Sequence, residues 1–595
     1  MKRKTVPVFY ACDGRFAKYT LVSLFSMIKN ASREYDYKIY ILHNGVSEAD
    51  KKKLLALADD RFTVSFVNMS KRLESIEAKL PIRDYYSKTT YYRIFIPEIF
   101  TGYDKVIYID SDTIVMGDIS ELYETELGDS LVAACHEQAM IQVDEYGTYA
   151  EEAVGISRYE FFNAGVLLIN CKSFRERSVA DKFSALLGEY DFKVTQDEDY
   201  LNVLCKDRVL WLDQRWNTEV FGNIGYPIEE AKIIHYIMTS KPWHYPDCPH
   251  CGVFWSYAQD TSVYGEIKRE LESYTDADRE NDIKICENLK ALAVSETERE
   301  DNYIKRINST LRSKDRVAVL KKTAEYEALG TFDVDVEQDP PTRTLMPDEI
   351  KYIKNGILSK IKTALAFGAA RLFVKRLVSK KELIVKEIRG IEHFMGLDSG
   401  AVITCNHFNA YDSFAMQMAY DASRHRKRKL YRVIREGNYT SFPGFYGFLM
   451  RNCNTLPLSS NRKTLKKFIE ATDELLKRGN FVLIYPEQSM WWNYRKPKPL
   501  KAGAFRFAVK NSVPVLPCFI TMKDTDTIGG DGFPVQEYTV HIGSPIYPDE
   551  ALDERARIGK MMADNSAVWN EIYENAYGHP PVYTTQKQKQ QLGAK

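Results

Sequence analysis

The chain has 595 residues, and its 82 Lys and Arg are matched by 82 Asp and Glu, so its formal net charge is zero. That length exceeds what one hydrophobic core fills and sets an expectation of several domains, while the charge balance argues against a dedicated nucleic-acid binder, which needs a basic surplus. Hydrophobic residues at 44% and charged residues at 28% are a globular balance; no apolar run reaches the roughly 18 residues of a membrane span, and the ten scattered cysteines form no disulfide-like framework, as in a reducing compartment.

In chain order, the apolar run at 6–12 is short and meets Asp13 without a cleavage-type segment, so it reads as a first strand rather than a signal peptide. Strands are expected at 6–11, 37–42 and 62–67, with helices at 18–30 and 48–59 between them. Strands alternating with helices imply a mostly parallel sheet covered on both faces, with ligands at the carboxyl ends of its strands. Residues 106–109 are apolar and β-branched enough for a buried strand, which ends on Asp110-Ser111-Asp112. Residues i and i+2 of an extended segment point to one side, so the two carboxylates can converge on a hard divalent cation. Such an ion grips a diphosphate and neutralises its growing charge. The same spacing recurs at 197/199, 276/278, 333/335 and 524/526, so it is the preceding strand that singles out this copy. Cys248 and Cys251, with His244 and His250 close by, lack a second pair at zinc spacing; they read as reduced structural thiols, with a zinc site as the alternative.

Several stretches in this half resemble glycosyltransferase family 8. They are Ala11-Cys12-Asp13-Gly14-Arg15-Phe16, Lys88-Thr89-Thr90-Tyr91-Tyr92-Arg93, Tyr108-Ile109-Asp110-Ser111-Asp112, Phe162-Asn163-Ala164-Gly165-Val166 and its continuation to Asn170, Gln196-Asp197-Glu198-Asp199-Tyr200-Leu201-Asn202, and His235-Tyr236 with Lys241-Pro242-Trp243. The resemblance implies that Asp110, Asp112 and His235 hold manganese, or magnesium in its place. It implies that Asp13 binds the uridine of a UDP-sugar and that Phe16 stacks on the base. Arg93 and Lys241 would contact the diphosphate or sugar, since charge-assisted hydrogen bonds are the strong ones. Asn163, Ala164, Gly165 and Asp197 would line the donor sugar, with Asp197 as the catalytic carboxylate. Transfer would retain the anomeric configuration, with the departing diphosphate taking the acceptor's proton. Two positions depart from the pattern: Glu198 stands where relatives carry Gln, and Met238 where a Gly often lies.

Charged segments at 266–279, 280–294, 297–311 and 314–329 have helical period and read as solvated helices packed on one side. Residues 331–346, with Asp339-Pro340-Pro341, read as a linker. At 355–378 an amphipathic helix is expected. Ile357, Ile361, Leu365 and Leu372 recur at helical spacing among Lys354, Lys360, Lys362, Arg371, Lys375 and Arg376. Such a helix either lies on an anionic membrane surface or packs on a core.

A strand over 401–405 delivers His407, and Asp412 follows five residues on. Histidine takes a proton from a hydroxyl near neutral pH, and a carboxylate beside it fixes its tautomer. His393 and Asp398 share the spacing but precede the strand. Tyr485-Pro486-Glu487-Gln488-Ser489 ends a second strand at 481–485, and 513–517 begins a third. This order resembles the glycerolipid acyltransferases related to 1-acylglycerol-3-phosphate acyltransferase. The resemblance implies that His407 is the base, that Asp412 orients it, and that Glu487 and Ser489 lie in the acyl-acceptor block. Gln488 replaces the usual Gly, and the Arg expected after Leu456-Pro457-Leu458 falls on Ser460. An acceptor other than lysophosphatidate thereby becomes thinkable.

The expected fold class is α/β: a GT-A (Rossmann-like) nucleotide-sugar domain at 1–265, a charged helical segment and linker at 266–345, and a second α/β acyltransferase domain at 346–595. The expected function is bifunctional. One half transfers glucose or galactose from a UDP-sugar to a lipid or glycan; the other transfers an acyl group from acyl carrier protein or coenzyme A to a glycerolipid hydroxyl. The protein would be cytoplasmic and peripheral on the inner face of the membrane, with no nucleic-acid partner. Two alternatives stand beside this: a non-catalytic acyltransferase-like tether, and acyl transfer onto a sugar hydroxyl.

Overall fold

The computed structural model describes residues 3–70, 88–337, 342–425 and 427–585. The chain divides into two compact units, residues 1–307 and 308–595.

The first unit contains β1 (Lys4–Cys12), β2 (Tyr35–His43), β3 (Phe62–Asn68), β4 (Lys105–Ile109), β5 (Thr113–Val115), β6 (Val132–Ala134), β7 (Val166–Asn170), β8 (Val209–Trp211), β9 (Thr218–Glu219) and β10 (Ile233–His235). Seven of them form one sheet in the order β3-β2-β1-β4-β7-β6-β8. Pairing is parallel except at β7, which runs against both of its neighbours. From Val6 onward strand β1 is apolar and buried because both faces are covered. Val8, Tyr10 and Cys12 enter a core shared with the helix Ala17–Asn30. Phe9 and Ala11 enter the opposite core, which includes Tyr92, Phe95 and Ile96 of the helix Tyr92–Ile99. A second sheet, β5-β10-β9, is small but decisive, for it sets His235 directly across from Thr113.

The helix break expected at 279/280 does not occur. Asp276–Glu298 is one helix of 23 residues, opened by a capping box between Thr275 and Asp278. It does not stand apart as linker, since it buries Leu289 and Ala293 in the first unit's core.

The second unit contains β11 (Ile384–Arg389), β12 (Ala401–Thr404), β13 (Leu430–Arg435), β14 (Thr455–Leu458), β15 (Phe481–Ile484), β16 (Val515–Ile528) and β17 (Pro534–Ile542). They form one sheet in the order β11-β17-β16-β12-β15-β13-β14, parallel except for the β16–β17 hairpin. Central β12 again alternates, with Ile403 in one core and Val402 in the other. The helix Lys314–Leu329 belongs to this unit, and so do residues 331–337, which are docked rather than free. Phe332 and Val336 turn inward, with Val336 only 3% exposed. Asp339, Pro340 and Pro341 lie outside the described residues.

The amphipathic segment is the helix Ile357–Ser379. Its small residues Ala366, Ala369 and Ala370 pack with Leu449 and Cys453, while Ile357, Leu358, Ile361, Leu365 and Leu372 are all more than half exposed. Among the described residues, no helix is long and apolar enough to cross a membrane.

Candidate active sites

In the first unit, β4 ends on Asp110 and the turn to β5 carries Asp112, while the β5–β10 pairing brings His235 alongside. One ligand atom from each of the three lies within 4.8 Å of the others. Two carboxylate oxygens and an imidazole nitrogen form a donor set suited to manganese or magnesium. The hydrogen bonds fix the ring's tautomer. The main-chain N–H of Gly165 can only donate, so the Asn163 Oδ1 that receives it (2.8 Å) must be the amide oxygen. Asn163 Nδ2 then donates to Glu137 Oε2 (2.5 Å), and Asn217 Nδ2 donates to Asn163 Oδ1 (2.8 Å). Asn217 Oδ1 is left to accept from His235 Nδ1 at 3.0 Å. The ring therefore carries its proton on Nδ1 and presents Nε2, 3.3 Å from Asp112 Oδ1.

Two cations flank the carboxylates. Lys241 Nζ lies 2.6 Å from Asp112 Oδ2, and Arg93 Nη1 3.5 Å from Asp110 Oδ2. Burial alone would raise the Asp112 carboxyl, but the positive charge beside it, Lys241 foremost, outweighs burial and holds it well below the usual range. Tyr108 Oη donates to Asp110 Oδ1 at 2.6 Å. Arg93 also pairs through Nε with Asp197 Oδ2 (3.0 Å) and donates to the Ala164 carbonyl. Gly165 is required by space: a Cβ there would sit 2.3 Å from His235 Cε1 and 2.9 Å from Asp110 Oδ2.

Phe16, Arg93, Asn163, Gly165, Asp197 and Lys241 line one cavity together with Asp110, Asp112 and His235. Ala164 acts through its backbone, its N–H donating to Glu198 Oε2 at 2.8 Å. Asp13 lies just past β1 and accepts from the backbone N–H groups of Arg15 (2.9 Å) and Phe16 (3.2 Å); it orders that turn and is not among the residues that line the cavity. Cys248 and Cys251 donate their thiols to the carbonyls of Ser240 and Pro246.

In the second unit, β12 delivers His407, and the helix Tyr411–Ala422 carries Asp412 in its first turn. His407 Nδ1 lies 2.7 Å from Asp412 Oδ2, which leaves Nε2 for proton transfer. Asp412 is fully buried and held from several sides. Its Oδ2 accepts from the Phe408 N–H (3.2 Å), and its Oδ1 accepts from Tyr485 Oη (2.8 Å). The Tyr485 ring also stacks on the imidazole, with centroids 4.2 Å apart. Glu487 Oε2 accepts from the His407 N–H (3.0 Å), and Glu487 forms a buried pair with Lys498 at 3.5 Å. Burial pushes the Glu487 carboxyl up and the Lys498 ammonium down, each opposed by the other's charge. Ser489 Oγ donates to the Phe332 carbonyl and receives a hydrogen bond from Lys498 Nζ.

Residues 7–247 match the family model for glycosyl transferase family 8, and residues 378–521 match that for acyltransferases. The chain joins a family 8 glycosyltransferase domain to an acyltransferase domain. The first resembles the lipopolysaccharide glucosyltransferase WaaO of Escherichia coli, at 29% identity over 254 residues covering 40% of this chain and 72% of that one. It also resembles general stress protein A of Bacillus subtilis, at 26% identity over 266 residues covering 41% and 90%. A solved galactosyltransferase, LgtC with donor and acceptor sugar analogs, aligns at 25% identity and a TM-score of 0.37, covering 45% of this chain and all of that one.

Two of the departures from the family motifs, Met238 and Gln488, sit where the backbone is left-handed. Met238 in the glycosyltransferase domain has φ of 59°, and Gln488 in the acyltransferase domain has φ of 68°. Glycine reaches that region without strain, so the glycine that the resemblance leads one to expect at each position would suit this backbone. Sequence reasoning missed Glu137, Asn217 and Tyr108 in the first site and Tyr485 and Lys498 in the second. Tyr108 and Tyr485 stand inside the quoted motifs but were given no role there, and Glu137, Asn217 and Lys498 lie outside them and are recruited by tertiary contact.

Proposed function

We propose that the glycosyltransferase domain transfers a hexose from a UDP-sugar to a lipid acceptor with retention of configuration, and that the acyltransferase domain acylates a glycerolipid hydroxyl. The observation that supports the first most directly is the Asp110–Asp112–His235 cluster with its preset Nδ1–H tautomer. A manganese ion held there would supply the charge that stabilises the departing diphosphate. Lys241 and Arg93 add fixed positive charge on either side of it, and Asp197, Asn163 and Gly165 shape the sugar end. The acceptor oxygen bonds to the anomeric carbon as the carbon–diphosphate bond breaks, and its proton passes to the released phosphate oxygen. Positioning then carries the rate, without a strong general base.

In the second domain, His407 Nε2 takes the proton of the acceptor hydroxyl while Asp412 holds the imidazolium. The oxygen attacks the thioester carbonyl, the carbon–sulfur bond breaks, and the proton passes on to the leaving thiolate of coenzyme A or acyl carrier protein. The outward apolar residues of the helix Ile357–Ser379, among five Lys and Arg and no acids, support contact with an anionic membrane surface. The test is incubation with manganese, labelled UDP-glucose or UDP-galactose and a total lipid extract. Label should enter the organic phase, and Asp112→Ala should abolish it. Label confined to the aqueous phase would overturn the lipid acceptor.

A further inference from the structure

The acyl-acceptor block of the second unit is met by a segment of its own chain. Residues 331–337 run along Glu487 to Trp491 and present two carboxylates to the positive groups there. Asp335 Oδ1 accepts from the Met490 N–H at 3.2 Å and pairs with Arg435 Nη2 at 2.6 Å. Arg435 Nη2 also donates to the Gln488 carbonyl at 3.3 Å, which places the guanidinium at the block itself. Asp333 Oδ2 pairs with Lys501 Nζ at 2.8 Å.

The segment is fastened rather than laid on. Ser489 Oγ donates to the Phe332 carbonyl (2.6 Å), and Trp491 Nε1 donates to the Val334 carbonyl (2.7 Å). The Phe332 ring stacks on Trp491, which is fully buried. The base is close by, since the Trp491 N–H donates to the His407 carbonyl at 3.3 Å and Glu487 accepts from the His407 N–H at 3.0 Å.

An N–H and a guanidinium converging on one carboxylate make an anion site, and here the anion is supplied by the protein. A phosphate monoester arriving beside His407 would have to displace Asp335 and then lie against two like charges. We propose that Asp335, supported by Asp333, is a specificity device that excludes acceptors carrying a phosphate monoester, so that the acyltransferase domain acylates a glycerolipid with an uncharged, hexose-type head group. The inference rests on the acyl-transfer reading above and adds the acceptor class to it. The step is the same: the free glycerol hydroxyl gives its proton to His407, its oxygen replaces sulfur on the acyl carbon, and the thiol leaves.

The experiment uses the full chain, an acyl-coenzyme A or acyl carrier protein donor, and two acceptors matched in acyl chain and free hydroxyl. One is 1-acylglycerol 3-phosphate and the other is 1-acyl-3-hexosylglycerol. The expected result is kcat/KM at least tenfold higher for the hexosyl acceptor. Asp335→Asn should raise the phosphate-to-hexosyl ratio at least tenfold, and Asp335→Glu, which keeps the charge, should leave it low. Asp333→Asn should move the ratio the same way by a smaller factor, and it supplies the reading if Asp335→Asn does not fold. A wild-type chain that takes the phosphate acceptor equally well, or a ratio unmoved in folded variants, overturns the proposal and leaves the acyl-transfer reading standing. A chain that acylates neither acceptor removes both.

Discussion

Replacing Gly165 by alanine tests the first site with the smallest change the side-chain alphabet allows. The added Cβ would stand 2.3 Å from His235 Cε1, about 1.1 Å short of the 3.4 Å at which ordinary contact begins, and 2.9 Å from both His235 Nδ1 and Asp110 Oδ2. The imidazole cannot simply swing aside, because Nδ1 is tied at 3.0 Å to Asn217 and through Asn163 to Glu137. Either the ring shifts by about 1 Å and that chain breaks, or β7 moves and takes with it the Gly165 carbonyl that receives the Asp110 N–H at 2.7 Å. Both outcomes spread the three ligands. Misplacement of about 1 Å at a reacting centre costs ~100-fold, and lost support around a metal ligand costs ~10–100-fold in affinity. A hundredfold loss of kcat/KM corresponds to ~2.7 kcal/mol of transition-state stabilisation. The assay is manganese-dependent release of UDP from a UDP-hexose, measured across a manganese titration, with thermal unfolding as a control for folding. Gly165→Ala should need at least tenfold more manganese and lose about a hundredfold in kcat/KM. A folded variant within threefold of the wild type would show that the cluster does not serve the reaction.

Two further outcomes are expected. Burial first, and then the Glu137 carboxylate, push the Glu198 carboxyl well above its ordinary value, so the folded state favours its protonated form. The stability this group contributes is complete below the unfolded value of about 4.5 and is lost as pH rises through the folded value. Glu198→Gln should therefore gain in melting temperature over the wild type as pH increases from 5 to 9; a constant difference across that range would refute the assignment. On the helix Ile357–Ser379, replacing the exposed Ile361, Leu365 and Leu372 by Glu should lower binding to phosphatidylglycerol vesicles at least tenfold, given ~1.5 kcal/mol or more for each apolar side chain withdrawn from water. Unchanged cosedimentation would remove that surface as the point of contact.

The parts of the fold that were legible are those written locally. Strand β4 and its terminal Asp110 and Asp112 could be read because a short β-branched run stopped at two carboxylates, and His407 with Asp412 because an apolar strand led to a histidine with a carboxylate five residues on. The Asn217–Asn163–Glu137 chain was not legible, because it joins common polar residues separated by as many as 54 positions. The helix break expected at 279/280 failed because an acidic run with helical period gives no stop signal, and one capping box governs all of Asp276–Glu298. Residues 331–337 looked like linker because their alternation of Asp with Phe and Val is too short to announce an extended, docked segment. The meaning of Met238 and Gln488 emerged only with their positive φ, a backbone property that side-chain identity does not carry.

The docking of residues 308–337 bears on how such a fusion can be taken apart. The family match begins at residue 378, yet Arg316 lies over the Trp492 ring, Glu327 holds Tyr494 and Lys496, and Phe332 covers Trp491. A gene cut at the border of recognisable homology would strip bare the aromatic surface of Trp491 and Trp492 and remove the partners of Tyr494 and Lys496. The transferable module is longer than its family resemblance, and recombination that exchanged acyltransferases at residue 378 would graft the domain without the segment proposed to select its acceptor.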